Sequence, residues 1–463
     1  MAKKLYPERL TETCFHLVTD RFRMVGKPQL PTDLRNPLAF HGGNYEGICQ
    51  AMQEGFFSEL GVDIIQMSPP YQQVEPQWDN ESQRLDWAAH GYWPNTLMRA
   101  NFRYGSLNNL KKVVEEAGMQ LILDMVHHVG VGSSLYRQRP EWFTSPRTWF
   151  WNLPELNLAR QDVKSYVFQA LGHWNGDGKH YFRWDTLHHL PPAYIQELFS
   201  AEDSPAKGVW SVAEVLHGDP AELRRFLDLG APSVYNYPLW YCFGEELSSR
   251  DGNLGKVAKV FSTMFGNTFH PAELVNFAQN HDMDLLRSLY LAKGASDEES
   301  LARLKMALTL VFLVPGIPSI YYLDATGWSG QNFSDPNRSG RWDLDWSTAN
   351  KGIFYYHLCC LVRARKSTPA LSFGSFKELW RPGDEYREPI FAFERRIGSN
   401  GSSQVVWVVI NNDTRDHEVS IPVGCSDVNA LEELLGATPD FIIRDGNLLG
   451  TIPACSVLAL TMP

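Results

Sequence analysis

The chain has 463 residues, about three times the length of an ordinary domain, so two or three domains or one large barrel with an appendage is expected. Its 42 Lys and Arg against 53 Asp and Glu leave a formal net charge of -11, which argues against a nucleic-acid or anionic-membrane partner. Hydrophobic content of 44% with 21% charged residues excludes a disordered chain, and no apolar run reaches the ~18–20 residues that a membrane span needs.

Short β-rich runs lie at Cys14–Thr19, Val62–Met67, Gln120–Val126, His180–Asp185, Val209–Val215, Ser233–Tyr237, Val275–Gln279 and Ser319–Leu323. Helical patterns separate most of them: Tyr45–Leu60, Leu107–Ala117, Gln161–Trp174, Pro220–Leu229 and Leu301–Leu313. Eight strands alternating with helices predict an α/β fold, a parallel (β/α)8 TIM barrel with its active residues at the C-terminal strand ends. Between the third and fourth strands, residues 130–157 hold Pro, Trp, Phe and Arg without periodicity and read as a short inserted subdomain. After a helix at Ile353–Arg365, short strands at Phe376–Trp380, Ile390–Arg396, Gln404–Ile410, His417–Ile421 and Ser456–Thr461 predict a C-terminal antiparallel β-sandwich. The expected division is therefore a barrel over 1–129 and 158–370, an insert over 130–157 and a β domain over 371–463.

The opening MAKKLYPERL is followed by no apolar stretch, so no secretory leader is expected. Seven scattered cysteines without a CxxC pair or Cys/His metal spacing point to reduced thiols, packed as small buried hydrophobes, in a cytoplasmic protein. Nothing in the sequence points to a particular oligomeric state.

Chemistry gathers at three predicted strand ends. Arg183 precedes Asp185 by two residues, so both point to the same side of the fourth strand and the guanidinium can keep the carboxylate ionised, as a nucleophile requires. Glu214 ends an apolar fifth strand, where desolvation favours the protonated form that a general acid needs. Asp282 follows Gln279-Asn280-His281 at the end of the seventh. Singly, each has a plainer reading: a strand-end Asp can cap a helix, and Glu214 can be a buried ion-pair partner. Together they form the carboxylate constellation of glycoside chemistry.

The ordered set of motifs resembles the α-amylase superfamily over nearly the whole chain. Asp20-Arg21-Phe22 and Phe40-His41-Gly42-Gly43-Asn44-Tyr45 resemble its opening, and His90-Gly91-Tyr92-Trp93 its HGY element. Leu153-Pro154-Glu155-Leu156-Asn157 resembles LPDLN, and Pro315-Gly316-Ile317-Pro318 with Tyr321-Tyr322 resembles the eighth-strand motif. Tyr104-Gly105-Ser106 is similar to the corresponding stretch of cyclomaltodextrinases and cyclodextrin glucanotransferases.

The resemblance implies a retaining α-glycosidase on α-1,4-linked glucans or maltooligosaccharides. Asp185 would be the nucleophile, Glu214 the acid and then base, and Asp282 the group that holds the 2- and 3-hydroxyls of the reacting sugar. Arg183 would orient Asp185, His281 would bind the same sugar, Tyr92 would stack beneath it with His90 nearby, and His189 would face the acceptor. For Tyr92 and His90, rim packing is the plainer alternative.

The third-strand motif departs from the family. In Asp124-Met125-Val126-His127-His128-Val129, His128 replaces the Asn that helps bind a structural calcium, and Val129 stands at the position of the sugar-contacting His. Either the turn is one residue shorter and His128 supplies that contact, or the contact is lost. The stretch after Phe22 also lacks the Asp/Asn cluster of a second calcium site, so no metal and no other cofactor is expected; His127 and His128 alone make a weak zinc signal. Tyr181 precedes Phe182-Arg183 where the family has Gly, and Leu323-Asp324-Ala325 departs from GDE. Two competing functions stay open, an α-glucanotransferase using the same intermediate and a decayed barrel that only binds glycans.

Overall fold

The computed structural model describes all residues except 1–3, 29–30, 81–82, 177, 329–339, 382–388, 399–402, 437–439 and 463. Eight parallel strands close into a barrel: β1 (Cys14–Leu17), β2 (Ile64–Met67), β3 (Gln120–Met125), β4 (Tyr181–Trp184), β5 (Ser211–Ala213), β6 (Ser233–Tyr235), β7 (Leu274–Phe277) and β8 (Ile317–Tyr321). Each pairs with its sequence neighbours, and β8 closes on β1 through Cys14 opposite Ser319. These strands are buried almost throughout, which is why they read as near-continuous apolar runs rather than alternating ones.

Helices cover the barrel, and their starts are written locally. In α3 (Leu107–Glu116) the Ser106 side chain accepts from the Asn109 amide, while Leu107, Leu110 and Val114 face the barrel at helical spacing. In α6 (Pro220–Asp228) Asp219 caps the Ala221 amide and Pro220 takes the first turn. The single helix expected over 45–60 is two helices instead, α1 (Tyr45–Gln53) and α2 (Phe56–Leu60). Gly55 between them has φ +87°, a left-handed turn that ends one helix and starts the next while preserving the apolar spacing across the break. Long helices α4 (Gln161–Asn175), α8 (Asp297–Leu313) and α9 (Ile353–Ser367) complete much of the coat, together with α5 (Pro192–Ser200) and α7 (Leu254–Thr263), which sequence reasoning missed although Leu254, Val257, Ala258 and Phe261 of α7 are buried at helical spacing.

Residues 130–157 consist of short helical turns rather than strands. A bridge of His128 with Glu155 ties this segment to the end of β3, and one of Phe143 with Leu156 holds two of its own parts together. Beyond α9 the chain forms two antiparallel sheets. The larger comprises β9 (Ser375–Trp380), β10 (Ile390–Ile397), β11 (Gln404–Asn411), β16 (Ser456–Thr461) and β13 (Glu432–Glu433) in that order. The smaller has β12 (His417–Pro422), β15 (Asn447–Ile452) and β14 (Ile442–Arg444). Ile390, Trp407, Val409, Ile421, Ile443 and Leu448 fill the space between them, giving a sandwich with its own core.

The other face of the larger sheet packs on the barrel. There Arg395 of β10 donates to the carbonyls of Leu313, at 2.7 Å, and Gly374, at 3.0 Å. Arg365 of α9 donates to Phe312 at 2.6 Å, Val314 at 3.3 Å and Gly316. The cysteine expectation needs correction: Cys14, Cys49 and Cys242 are buried, but Cys359, Cys360, Cys425 and Cys455 are partly exposed, and all seven are unbridged.

Candidate active site

A cleft of about 470 Å³ opens at the C-terminal ends of the barrel strands, within the range of small-ligand sites. Its wall includes Asp185, Glu214, Asp282, Tyr92, His90, His128 and His189, while Arg183 and His281 are buried beneath it. All nine predicted site residues therefore converge on one place, although they come from segments as far apart as 90 and 282.

Arg183 is the hub. Its Nη1 donates to Asp185 Oδ1 at 2.7 Å and to Asp124 Oδ1 at 2.9 Å; its Nη2 lies 2.8 Å from Glu214 Oε2 and 4.0 Å from Asp282 Oδ2. Burial disfavours its charge, but the surrounding carboxylates, Asp124 and Glu214 foremost, outweigh that and hold it protonated. Thr186 ties the same pair from the other side: its amide donates to Glu214 Oε2 at 2.8 Å and its hydroxyl to Asp185 Oδ2 at 3.3 Å. Thr186 has φ +45°, an outlier for a β-branched residue, which costs on the order of 1–3 kcal/mol. Such strain persists where the surroundings over-determine it, here between two carboxylates.

The three acids sit in different fields. Burial, reinforced by the negative charges of Asp185 and Asp282, pushes Glu214 up to about 8 despite Arg183 and the Thr186 amide. Its other oxygen accepts from the Tyr237 hydroxyl at 3.2 Å, which in turn accepts from Asn280 Nδ2 at 3.1 Å. Burial also acts on Asp282, but His281, Arg341 and Arg183 prevail and hold it well below the usual carboxylate range. His281 Nε2 is 2.9 Å from Asp282 Oδ2 and Arg341 Nη2 is 2.8 Å from Oδ1. A protonated carboxyl and an ionised one thus face the same cleft, the split that acid catalysis beside charge stabilisation requires.

Tyr92 donates its hydroxyl to Asp124 Oδ2 at 2.7 Å, and its ring lies parallel to that of His281 with centroids 5.1 Å apart. Burial raises Asp124 to about 7. His128 Nε2 bonds the Tyr92 carbonyl at 2.9 Å and its Nδ1 is 3.9 Å from Asp185 Oδ2, whereas Val129 is fully buried. Of the two alternatives for this turn, the geometry therefore brings the imidazole of His128 to the cleft. His127 points away, to the Tyr194 hydroxyl at 3.0 Å, and burial lowers it to about 3. His189 stacks on Phe150 with centroids 3.7 Å apart.

Sequence reasoning missed several lining residues. Thr186 and His188 lie between Asp185 and His189 in the sequence and were legible as their neighbours. Trp151 lines the cleft, 63% exposed, on a backbone with φ +52°, followed by Asn152 at +57°. Its signal was the aromatic run just before Leu153-Pro154-Glu155. Arg341 carried no signal, because its segment has neither periodicity nor a quoted motif. Among the described residues no group of three or more His, Cys, Asp or Glu side chains is placed to hold a metal ion. Gln29 and Leu30, within the stretch after Phe22, lie outside the described residues.

The family model described as "Alpha amylase, catalytic domain" matches residues 4–151 and 138–424 of this chain. An alpha-amylase of Saccharomycopsis fibuligera is 26% identical over 468 residues, covering 92% of this chain and 88% of that protein. A cyclomaltodextrin glucanotransferase of Paenibacillus macerans is 24% identical over 450 residues, covering 87% of this chain but only 60% of that protein. Among solved structures, an Anoxybacillus alpha-amylase shares the fold with a TM-score of 0.83 at 22% identity, over 98% of this chain and 99% of that one.

Proposed function

The chain belongs to the alpha-amylase catalytic-domain family, a glycoside hydrolase by type, and from that premise we propose that it hydrolyses α-1,4-linked glucans or maltooligosaccharides with retention of configuration. The observation that carries this reading is the single guanidinium of Arg183 set between Asp185 and Glu214 at 2.7 and 2.8 Å, with Asp282 across the cleft. In the first half-reaction Asp185 attacks the anomeric carbon while the bond to the leaving oxygen breaks and Glu214 gives that oxygen its proton. In the second, the Glu214 carboxylate takes a proton from water, whose oxygen attacks the same carbon and releases Asp185. Asp282, ionised throughout, grips the sugar hydroxyls and faces the positive charge that develops on the ring. His281 and Tyr92 support that sugar from below, and His128 approaches it from the β3 side.

The residues at the barrel–insert junction do not fit a structural calcium. His128 offers nitrogen where the ion needs oxygen, and its ring is already engaged by the Tyr92 carbonyl on one side and faces Asp185 on the other. Glu155 accepts the Phe150 amide at 3.1 Å and is likewise engaged.

A second reading, transfer to an acceptor sugar, draws on Trp151, Phe150 and Leu153, which give the cleft mouth an apolar wall beside His189. A sugar face stacked there competes with water for the intermediate. Chromatography of products from maltoheptaose, with and without added acceptor, tests both. Shorter oligosaccharides support hydrolysis, longer ones support transfer, and unchanged maltoheptaose refutes the assignment.

A further inference from the structure

Arg183 serves four carboxylates, and the second cation on Asp282 comes from a segment that no motif marks. Arg341 places Nη2 2.8 Å from Asp282 Oδ1 and donates from Nε to the His281 carbonyl at 2.9 Å. Its backbone is fastened on both sides. The Tyr321 hydroxyl donates to the Gly340 carbonyl at 2.5 Å, Arg21 Nε to the Arg341 carbonyl at 3.1 Å, and the Leu344 amide to the Arg21 carbonyl at 2.9 Å. Gly340 also lies so close to the turn after β7 that a Cβ would meet the Asn280 carbonyl oxygen at 2.8 Å and that of Met283 at 3.0 Å. Any larger residue there would force one of these two backbone segments to shift.

Resting on the glycosidase reading above, we infer that Arg341 is a positioning residue for the sugar in the cleavage subsite, acting through Asp282 on the hydroxyl pair of an unmodified glucosyl unit. A carboxylate has about four lone-pair sites. Arg341 donates to Oδ1 and His281 Nε2 lies 2.9 Å from Oδ2, so each oxygen keeps an acceptor for one of two adjacent hydroxyls. The planar fork of Arg341, held at Nε and Nη2 together, fixes the plane of that carboxylate, which a point charge cannot do. Arg183 is no substitute: it is 4.0 Å from Asp282 but within 2.9 Å of Asp124, Asp185 and Glu214. Without Arg341 the carboxylate is free to turn, and the hydroxyl pair loses its register with Asp185.

The test crosses variants with substrates in the full-length protein: wild type, Arg341→Met and Arg341→Lys, each on α-maltosyl fluoride and on the analogue lacking the 2-hydroxyl of the reacting sugar. On the parent fluoride Arg341→Met should lose about 100-fold in kcat/KM, mostly in kcat, because an aligned transition-state contact is removed. On the 2-deoxy analogue, which keeps only the 3-hydroxyl and so cannot present the pair, the factor should shrink to about threefold or less. Arg341→Lys should lose about tenfold on the parent and nothing measurable on the analogue, so it carries the test should the Met variant not fold. Equal losses on both substrates would overturn the role of Arg341 while leaving the glycosidase reading intact. A wild type inert on the parent fluoride would overturn that reading and this inference with it.

Discussion

Replacing Glu214 by Gln should separate its chemical role from its cost to the fold. Burial raises the Glu214 carboxyl from 4.5 to about 8. At pH 6 a group with that value is roughly 99% protonated, against about 3% for one left at 4.5. The wild-type site is thus loaded as an acid, and the amide of the Glu214→Gln variant keeps the shape without the transferable proton. Turnover of maltoheptaose should fall by about 10²–10⁴-fold, the usual worth of general acid catalysis. α-Maltosyl fluoride, whose leaving group needs no proton, should still form the Asp185 adduct; sodium azide, a nucleophile needing no base, should then release it as the α-glycosyl azide. Stability should move the opposite way to activity. A group whose folded value lies above its unfolded one contributes fully below about 4.5 and loses that contribution as pH rises towards 8. Through that window the wild type should lose on the order of a few kcal/mol that the Gln variant keeps, so the variant should melt higher at pH 8 and equally at pH 4. Thermal scans by circular dichroism at both pH values, beside product analysis, check the two halves. Equal loss on maltoheptaose and on the fluoride with azide present would refute the acid role, and identical melting shifts at pH 4 and pH 8 would refute the burial argument.

Asp185→Asn should reduce hydrolysis by several orders of magnitude in a folded protein, since covalent catalysis and charge stabilisation go together; near-normal turnover in the purified variant contradicts the nucleophile assignment. Proton NMR of the earliest products should show the α-anomer, because two displacements at one carbon restore the configuration, whereas β-anomer first would mean an inverting mechanism. EDTA should leave activity and melting temperature nearly unchanged, since His128 offers no oxygen to calcium; a large drop reversed by calcium alone would sink that reading.

The barrel was legible because its strands are short apolar runs between amphipathic helices, and both patterns arise from burial against a single surface. The three acids and Arg183 were legible because strand ends in this architecture face one opening, so sequence position alone predicts convergence. Apart from α7, whose apolar residues do recur at helical spacing, most of what escaped had no periodic cause. Gly55 breaks a helix without disturbing its apolar spacing, and the short strands Glu432–Glu433 and Ile442–Arg444 hold too few residues to show alternation. Arg341 and Trp151 reach the cleft through irregular backbone, where placement depends on tertiary hydrogen bonds and positive φ rather than local pattern. His128 was legible as a departure from a family motif, yet only the folded turn shows its ring beside Asp185 and Val129 buried.

Arg365 and Arg395 are buried and among the described residues pair with no acid, and burial draws Arg365 down to about 9. Their counter-charge is the C-terminal end of α8, whose last carbonyls carry the negative pole of the helix just where the chain turns into β8. Arg395 belongs to the sandwich, and that makes the sandwich part of the barrel's wiring rather than a cargo attached to it. A protease or an engineer cutting after residue 370 would remove one of two guanidinium groups from that helix end together with the sheet that covers it. The strand that seals the barrel, and with it Tyr321 and the anchorage of Gly340, would lose its footing at the far end from the cleft.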